Sequence, residues 1–416
     1  MKNRVEFLER DLAARRPPLH AVLGLAVGLA LACSAPGWSQ AQTYSVLYSF
    51  QCTPDGRYPL DPLVLDAAGN LYGTTSFGGA SNFGTVFALS PSGTETILYS
   101  FTGGLDGKYP EGALLRDAAG NFISTTSSGG AFGHGVVFKL TPGGQETTLH
   151  SFAGRLTDGD TPLAGLTRDK AGNLYGTTGN GGNYNLGTVF ELPVGGHEKL
   201  LHSFAPFGGD AQIANSALVL DAAGNLYGSS RQGGSFNAGA VYKIDPTGAE
   251  SVLFSFDASD GKTPVGGVTL DASGNLYGTT IFDGGHVCGP GVNCGLVYSL
   301  SSTGQETLLH SFSGPPKDGA YPSATLLRSP LGTLFGTTGG GGSGPCIGGC
   351  GVAFSLNPAG EETILHAFTG YPGDGAGPDS GVTADKAGNL YGTTAAGGST
   401  LGPDGQGCGT VYKITP

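Results

Sequence analysis

The sequence predicts an all-β fold, a seven-bladed β-propeller of four-stranded antiparallel blades whose closing blade is built from both ends of the chain. Three observations lead to this prediction. One motif recurs along the chain, each repeat contains four strand-like segments, and the two ends supply complementary parts of one repeat. An open β-solenoid is the alternative, but its coils usually need only about 20–30 residues.

The recurring motif is Gly-Asn-Leu-Tyr-Gly-Thr-Thr or a close variant. Successive copies begin 51, 52, 52, 50, 58 and 56 residues apart. A period near fifty residues with several strands per unit is typical of a propeller. The copies occupy residues 69–75, 120–126, 172–178, 224–230, 274–280, 332–338 and 388–394.

Each repeat divides into four segments, which we name strands a, b, c and d. In the second repeat they are predicted at residues 113–116, 121–126, 135–140 and 147–152, where apolar residues alternate and β-branched or aromatic residues are frequent. Turn-forming residues at 117–120 and 141–144 separate a from b and c from d. The four strands should therefore run as an up-and-down meander.

The ends of the chain predict ring closure. Residues 45–50 (SVLYSF) match strand d but precede any a, b or c. Residues 409–414 (GTVYKI) match strand c but have no strand d after them. Pairing the two segments completes a seventh blade and removes the open edges of the array.

The cysteines agree with this closure. Cys408 directly precedes the last strand c and Cys52 directly follows the first strand d, so antiparallel pairing predicts a disulfide between them. The chain-entropy model assigns a bridge over so long a loop roughly 5 kcal/mol. Two short bridges, Cys288–Cys294 and Cys346–Cys350, are predicted within loops and are worth about 2 kcal/mol each.

The N-terminal segment, residues 1–41, is predicted to be a signal peptide. Five Lys and Arg residues accompany an apolar run at 21–33, which is too short to span a bilayer comfortably, and small residues at Ser39 and Ala41 suit cleavage before Gln42. Lipidation of Cys33 is a minor alternative, and Arg15-Arg16 fits a twin-arginine signal poorly. The remaining chain, 42–416, is predicted to be a single propeller domain that is secreted, extracellular or periplasmic, with no transmembrane segment.

The composition narrows the classes of partner. Charged residues are 12% of the chain and the net charge is −12, so nucleic acid would be repelled over most of the surface. Removing residues 1–41 takes away five basic and three acidic side chains. The remaining chain has 15 basic and 29 acidic side chains and therefore a net charge of −14. We expect no nucleic-acid partner and a monomer.

The repeat unit, D-x-x-G-N-L-Y-G-T-T-x-x-G-G followed by G-T-V-F-x-L and G-x-E-T-x-L-H-S-F, resembles the GloVer tandem repeat. This repeat occurs in exported bacterial proteins grouped as choice-of-anchor proteins, and the resemblance covers residues 44–416. It implies an extracellular or cell-surface location and no established activity, so it transfers no catalytic residue. Because Pro416 directly follows a strand, with no apolar tail or sorting motif, we expect secretion rather than C-terminal anchoring.

The b–c loops predict which face of the ring is functional. Together with the d–a loops they emerge on one face, and their predicted lengths are 8, 8, 8, 8, 14, 12 and 14 residues. Unequal loops on a symmetric ring indicate a binding site, and disulfides in two of the long loops would reduce the ordering cost of recognition. Drift in tolerated loops, with disulfides added against proteolysis, explains the same pattern.

Candidate ligand-binding residues on this face fall into two groups. Asp283, His286, Asp404 and His134 are polar and lie in b–c loops. Phe132, Tyr184 and Phe236 occupy matching positions, where exposed rings would stack on sugars, but packing between blades is the preferred interpretation.

Two recurring polar positions are predicted to be structural. The strand d histidines 150, 202, 310 and 366 alternate with Tyr and Phe in other repeats, which favours ring packing over a ligand role. The d–a loops carry Asp-Gly followed by Pro in six repeats, and the fourth has Gly209-Asp210 without Pro. Their carboxylates could hold Ca²⁺, but capping of local backbone N–H groups is preferred.

No catalytic, metal or cofactor motif appears in the sequence. We therefore predict a noncatalytic binding scaffold for an extracellular glycan or protein. The alternative is a propeller hydrolase or lyase acting on extracellular polysaccharide. It would require carboxylates that converge within about 5–10 Å in a pocket.

Overall fold

The computed structural model describes residues 42–154, 156, 158–257, 259–282, 287–289, 292–403 and 405–415; the predicted signal peptide lies outside them. These described residues form seven four-stranded antiparallel sheets and contain no helix. The predicted β-propeller is therefore confirmed. No helix of the described chain has the length and apolar character needed to cross a bilayer.

Every blade has the sheet order a, b, c, d, and strand a has only two residues. In that order, blade one contains Val64–Leu65, Leu71–Thr75, Thr85–Leu89 and Glu95–Ser100; blade two Leu115–Arg116, Phe122–Thr126, Val136–Leu140 and Glu146–Ser151; blade three Thr167–Arg168, Leu174–Thr178, Thr188–Leu192 and Lys199–Ser203; blade four Val219–Leu220, Leu226–Ser230, Ala240–Ile244 and Glu250–Ser255; blade five Thr269–Leu270, Leu276–Thr280, Leu296–Leu300 and Glu306–Ser311; blade six Leu327–Arg328, Leu334–Thr338, Val352–Leu356 and Glu362–Ala367; blade seven Thr383–Ala384, Leu390–Thr394, Thr410–Thr415 and Thr43–Ser49.

Blade seven closes the ring as the ends of the chain predict. Thr43–Ser49 pairs antiparallel with Thr410–Thr415, with Thr43 opposite Thr415 and Ser49 opposite Thr410. Cys52 and Cys408 form a disulfide beside this ladder, with their Cα atoms 5.3 Å apart. The first and last strands of the propeller are thus held together by both hydrogen bonds and a covalent bond.

A buried pair of aromatic rings joins each blade to the next. The Phe that follows strand d contacts the central aromatic ring of the following strand c, edge to face. Phe204 and Tyr242, for example, have ring centroids 5.2 Å apart, and neither residue is exposed. The other pairs are Phe50–Phe87, Phe101–Phe138, Phe152–Phe190, Phe256–Tyr298, Phe312–Phe354 and Phe368–Tyr412. The blades therefore pack through one repeated contact, which includes the closure.

The second Gly and the first Thr of the recurring motif contribute to the packing within and between blades. A Cβ atom on Gly73 would lie 2.7 Å from the Phe87 ring, so glycine lets the aromatic ring of strand c cover strand b. The Thr hydroxyl reaches the next blade: Thr177 Oγ1 donates to the carbonyl oxygen of Ser216 at 3.0 Å. These contacts explain why the motif is repeated almost unchanged.

The Asp that precedes the motif builds the a–b turn. Asp66 Oδ1 accepts hydrogen bonds from the main-chain N–H groups of Ala68 and Asn70, both at 2.9 Å. Its Oδ2 accepts from Asn70 Nδ2 and from the Tyr72 hydroxyl, both at 3.0 Å. The same carboxylate turn is present at Asp117, Asp169, Asp221, Asp271 and Asp385.

These turns predict a loss of stability in acid. Partial burial alone would raise the pKa of Asp66, but hydrogen bonds from Asn70, Tyr72 and Ala68 lower it overall. A lowered folded-state pKa stabilises the fold above the unfolded value, about 3.9 for Asp, and this contribution is lost as the pH falls through the folded-state value. Replacing Asp66 and Asp221 by Asn should lower the urea midpoint at pH 6, and the difference from wild type should shrink below pH 4.

Blade six provides the control for this measurement. Its turn has Ser329 instead of Asp, and Ser329 Oγ accepts from the Thr333 main-chain N–H at 3.0 Å. A Ser329→Ala variant should lose a similar interaction at every pH, because no carboxylate titrates there. A pH-independent difference in the Asp variants would contradict the account.

Candidate functional site

The b–c loops and the d–a loops lie together on one face of the ring, which we call the loop face. The opposite turn face carries the a–b and c–d turns. Short antiparallel ladders join the two kinds of loop in several blades, such as Gly159–Asp160 with Asn180–Gly181 and Gly375–Ala376 with Ala396–Gly397. The loop face is therefore held by backbone hydrogen bonds.

At the centre of the ring, a channel with a cavity volume of about 140 Å³ is lined by residues from every blade, all of them just before the innermost strand a. Asp61 and Asp379 line it, and Glu111 lies two residues before the lining residue Ala113, at the position in blade two that Asp379 occupies in blade seven. These carboxyl groups belong to blades one, seven and two, which are consecutive in the closed ring. They are the acidic side chains that sequence reasoning missed.

The channel raises the pKa values of these carboxyl groups. Burial raises the pKa of Asp61 to about 7, against a hydrogen bond from Thr74 Oγ1 at 3.2 Å and with a contribution from the charge of Glu111. The Asp379 side chain is in contact with water along the channel, but the surrounding blades enclose its other sides. This burial raises the pKa of Asp379 to about 6, although a hydrogen bond from the Ser323 hydroxyl lowers it. Burial also raises the pKa of Glu111, against a hydrogen bond from Ser127.

Carboxyl groups with perturbed pKa values are common at functional sites. This channel, however, is smaller than the 300–1,000 Å³ typical of ligand pockets. Carboxyl groups with raised pKa values can carry out acid–base chemistry here only on a group small enough to enter the channel. The channel alone is therefore a poor site for a sugar residue.

The second feature of the loop face is an arc of exposed apolar side chains on blades one to four. Phe132, Tyr184 and Phe236 are 58%, 47% and 64% exposed, so the predicted preference for packing between blades is wrong. These rings project because each lies at the tip of a b–c loop, beyond the last ladder contact. The d–a loops between the same blades add Leu105, Leu156 and Phe207, and Phe207 contacts Tyr184 edge to face at 5.2 Å.

His134 is the one polar candidate that falls among the described residues. Its Nδ1 lies 3.0 Å from Asp160 Oδ1, at the junction of a b–c loop and a d–a loop. Its side chain is 40% exposed and lies in the same loop as Phe132. Asp283, His286 and Asp404 lie outside the described residues.

The long b–c loops occupy the other side of the loop face. Between the observed strands they span residues 281–295, 339–351 and 395–409. Cys346 and Cys350 form a disulfide in the second of them. Cys294 is disulfide-bonded in the first, where the side chain of its predicted partner Cys288 is not described.

The d–a Asp residues cap the backbone, as preferred from the sequence. Asp106 Oδ2 accepts from the Thr102 main-chain N–H at 2.7 Å and from the Tyr99 hydroxyl at 3.0 Å. Asp55, Asp158, Asp210, Asp318 and Asp374 accept equivalent backbone N–H groups. These carboxylates are therefore engaged locally. Ca²⁺ binding at these carboxylates stays a prediction.

A protein-family model described as the Gloeobacter/Verrucomicrobia repeat matches residues 38–237 and 214–416. Among solved structures, a gluconolactonase from Xanthomonas campestris is 15% identical, with a TM-score of 0.44 over 90% of this chain and 89% of that chain. A luciferin-regenerating enzyme is 14% identical, with a TM-score of 0.42 over 90% of this chain and 95% of that one. No curated protein matches the sequence. Similarity at this level transfers neither activity to this chain.

Proposed function

The chain belongs to the Gloeobacter/Verrucomicrobia repeat family, and on that premise we propose that it is an exported, noncatalytic propeller that binds a neutral polysaccharide through its loop face. The observation that carries the proposal is the exposure of Phe132, Tyr184 and Phe236 at matching positions of consecutive blades. Exposed apolar patches on a folded protein mark interaction surfaces.

The repetition of these rings favours a polymeric sugar over a protein partner. Equivalent positions on successive blades are related by the rotation of the propeller, so the rings recur at a regular spacing along the arc. A polysaccharide presents sugar faces at a regular spacing as well, and aromatic rings combine an apolar face with low conformational entropy. The net charge of −12 opposes an anionic polymer, which leaves a neutral one.

Polysaccharide binding is tested by affinity electrophoresis of the secreted protein in gels that contain neutral glucans, xylans or mannans. We expect at least one polymer to retard the wild type, and a Phe132→Ala, Tyr184→Ala, Phe236→Ala variant to bind at least tenfold more weakly. The variant should stay folded, because the three rings are exposed.

Two exposed apolar residues on the turn face provide the matched control. Val194 and Leu331 are 69% and 87% exposed, and a Val194→Ala, Leu331→Ala variant should bind like the wild type. A triple ring variant that binds as tightly as the wild type, or a folded wild type that no neutral polymer retards, would overturn the proposal. Capture of a protein ligand by the same rings would favour the protein partner instead.

The alternative function, a hydrolase or lyase acting on extracellular polysaccharide, is supported by the raised pKa values of Asp61 and Asp379 in the channel. General acid–base catalysis needs such groups. The cavity of about 140 Å³ argues against this alternative, because the reacting sugar must reach the carboxyl groups. Release of reducing ends from a bound polymer would revive it.

A further inference from the structure

A cluster of polar side chains lies at three of the junctions between neighbouring blades. Each cluster combines the strand d His of one blade, the Asp of the following d–a loop, and the Glu at the start of strand d in the next blade. We call them the junction clusters: His150–Asp158–Glu198, His202–Asp210–Glu250 and His310–Asp318–Glu362.

In each junction cluster, one atom from every side chain lies within 4.8 Å of the other two. His202 Nε2 is 3.4 Å from Asp210 Oδ1 and 3.9 Å from Glu250 Oε2. Atoms that ligate a tetrahedral ion at about 2.0–2.2 Å are themselves about 3.3–3.6 Å apart. These separations are too long for good hydrogen bonds and close to the spacing of ligands around one ion.

The third cluster repeats this geometry. His310 Nε2 lies 3.6 Å from Asp318 Oδ2 and 3.7 Å from Glu362 Oε2. The first cluster is tighter, with His150 Nε2 hydrogen-bonded to Asp158 Oδ1 at 3.3 Å. The three clusters therefore offer the same donor set. In the second and third clusters the distances between the ligand atoms are already close to those expected around one ion.

Several atoms in the clusters have no hydrogen-bond partner within the described part of the chain, although water cannot reach them. They are His202 Nε2, Asp210 Oδ1, Glu198 Oε1, His310 Nε2 and Glu362 Oε1. Asp210 as a whole residue is only 8% exposed, and its free oxygen points at the imidazole. Buried polar atoms are almost always partnered in folded proteins, so these atoms call for a ligand.

The charges of the clusters also favour a cation. Two carboxylates meet one imidazole in each, and the ion pairs that these carboxylates form among the described residues involve only histidine, with no Lys or Arg. Two carboxyl groups buried together need either a shared proton or a cation. A divalent ion would neutralise both carboxylates and bind the imidazole nitrogen.

Three other junctions have Tyr or Phe in place of the histidine. The Glu Oε1 atom is unpartnered among the described residues at two of these as well, Glu95 and Glu306, so the imidazole is what distinguishes the junction clusters. Tyr48 donates its hydroxyl to Asp55 Oδ2 at 2.6 Å, and Tyr99 donates to Asp106 Oδ2 at 3.0 Å. Phe254 has no polar atom at the equivalent position. The fold therefore tolerates Tyr or Phe at this position of strand d. The junction clusters differ in having an imidazole nitrogen that can bind an ion.

We propose that each junction cluster binds one Zn²⁺ ion through His Nε2 and one oxygen of each carboxylate, so that the ions bridge neighbouring blades. One nitrogen and two oxygens suit zinc, and a water molecule would complete the tetrahedron. Ca²⁺ and Mg²⁺ prefer all-oxygen sites and should bind more weakly. The Zn²⁺ ions would be structural, because each cluster joins side chains of two neighbouring blades.

The test is equilibrium dialysis of the untagged protein against Zn²⁺, with the bound metal counted by atomic spectroscopy. We expect three equivalents in the wild type, one for each junction cluster. His202→Phe and His310→Phe should each remove one equivalent, and the folded state should persist because Phe254 occupies the same position in blade four. Zn²⁺ should also raise the Tm of the wild type, and a His150→Phe, His202→Phe, His310→Phe variant should lose that shift.

Two further measurements separate these sites from unspecific binding. His197→Ala, which changes an exposed histidine in a c–d turn, should keep three equivalents. Co²⁺ bound in place of Zn²⁺ should show the visible absorption of a tetrahedral site, and the triple variant should not. No stoichiometric zinc in the wild type, or zinc content unchanged by the Phe variants, would overturn the proposal.

Discussion

Replacing Cys52 and Cys408 by serine is expected to lower the free energy of unfolding by about 4–5 kcal/mol, because the disulfide closes a loop of 356 residues. In the unfolded chain this bond removes more conformational freedom than any short bridge can. In the folded chain it lies beside the ladder that joins the first and last strands, so its loss should let these strands separate first. Chemical unfolding in urea, followed by far-UV circular dichroism, measures the effect.

The short disulfide Cys346–Cys350 provides the matched control. It spans only 4 residues, so replacing both of its cysteines by serine should cost about 2 kcal/mol or less. Hydrogen exchange adds a second readout: amides of Thr43–Ser49 should exchange faster in the Cys52→Ser, Cys408→Ser variant, whereas amides of strand b in blade four should not. Equal destabilisation by both pairs of substitutions would contradict the role of the long bridge.

The second large effect is expected from the buried aromatic pairs between blades. Phe204→Ala should cost about 3–5 kcal/mol, because it removes a fully buried ring and leaves a cavity against Tyr242. The same urea titration measures it. Since every blade is joined by an equivalent pair, a comparable loss is expected at Phe312, which packs on Phe354.

Phe207 is the control for this prediction, three residues along the chain. It is 61% exposed, so Phe207→Ala should change stability by less than about 0.5 kcal/mol. A Phe204→Leu variant, which fills part of the cavity, should recover some of the loss. If Phe204→Ala were no more destabilising than Phe207→Ala, the aromatic pairs would not be what joins the blades.

The repeat made the fold predictable from the sequence. A fifty-residue period with four strands per unit restricts the architecture, and the misplaced strand d at residues 45–50 indicates how the ring closes. The bridge between Cys52 and Cys408 followed from antiparallel pairing alone. Each of these inferences depends on the order of strands along the chain, which the sequence contains directly.

The convergence of side chains from different blades could not be predicted in the same way. Asp61, Glu111 and Asp379 lie at two adjacent repeat positions where the other repeats have Leu, Asn, Val, Ser, Ala or Gly, so they look like variation within the repeat. Their proximity appears only when the ring brings the innermost strands to one axis. The sequence signal that could have found them is that all three lie within the two residues after the Pro of a d–a loop.

The junction clusters were hidden for a related reason. Asp210 and Glu250 are separated by most of one repeat and meet only across a blade boundary. The histidines were correctly predicted to be packing rings, since His202 lies edge to face on Phe204 at 5.0 Å. The proposed ligand role is compatible with this packing, because Nε2 lies near Asp210 and Glu250 while the ring contacts Phe204.

Non-reducing peptide mapping of the purified protein by mass spectrometry tests ring closure most directly, and the seven-bladed architecture depends on that closure. The account predicts a peptide containing Cys52 covalently joined to a peptide containing Cys408. Recovery of Cys52 as a free thiol, or joined to Cys288, Cys294, Cys346 or Cys350, would contradict it.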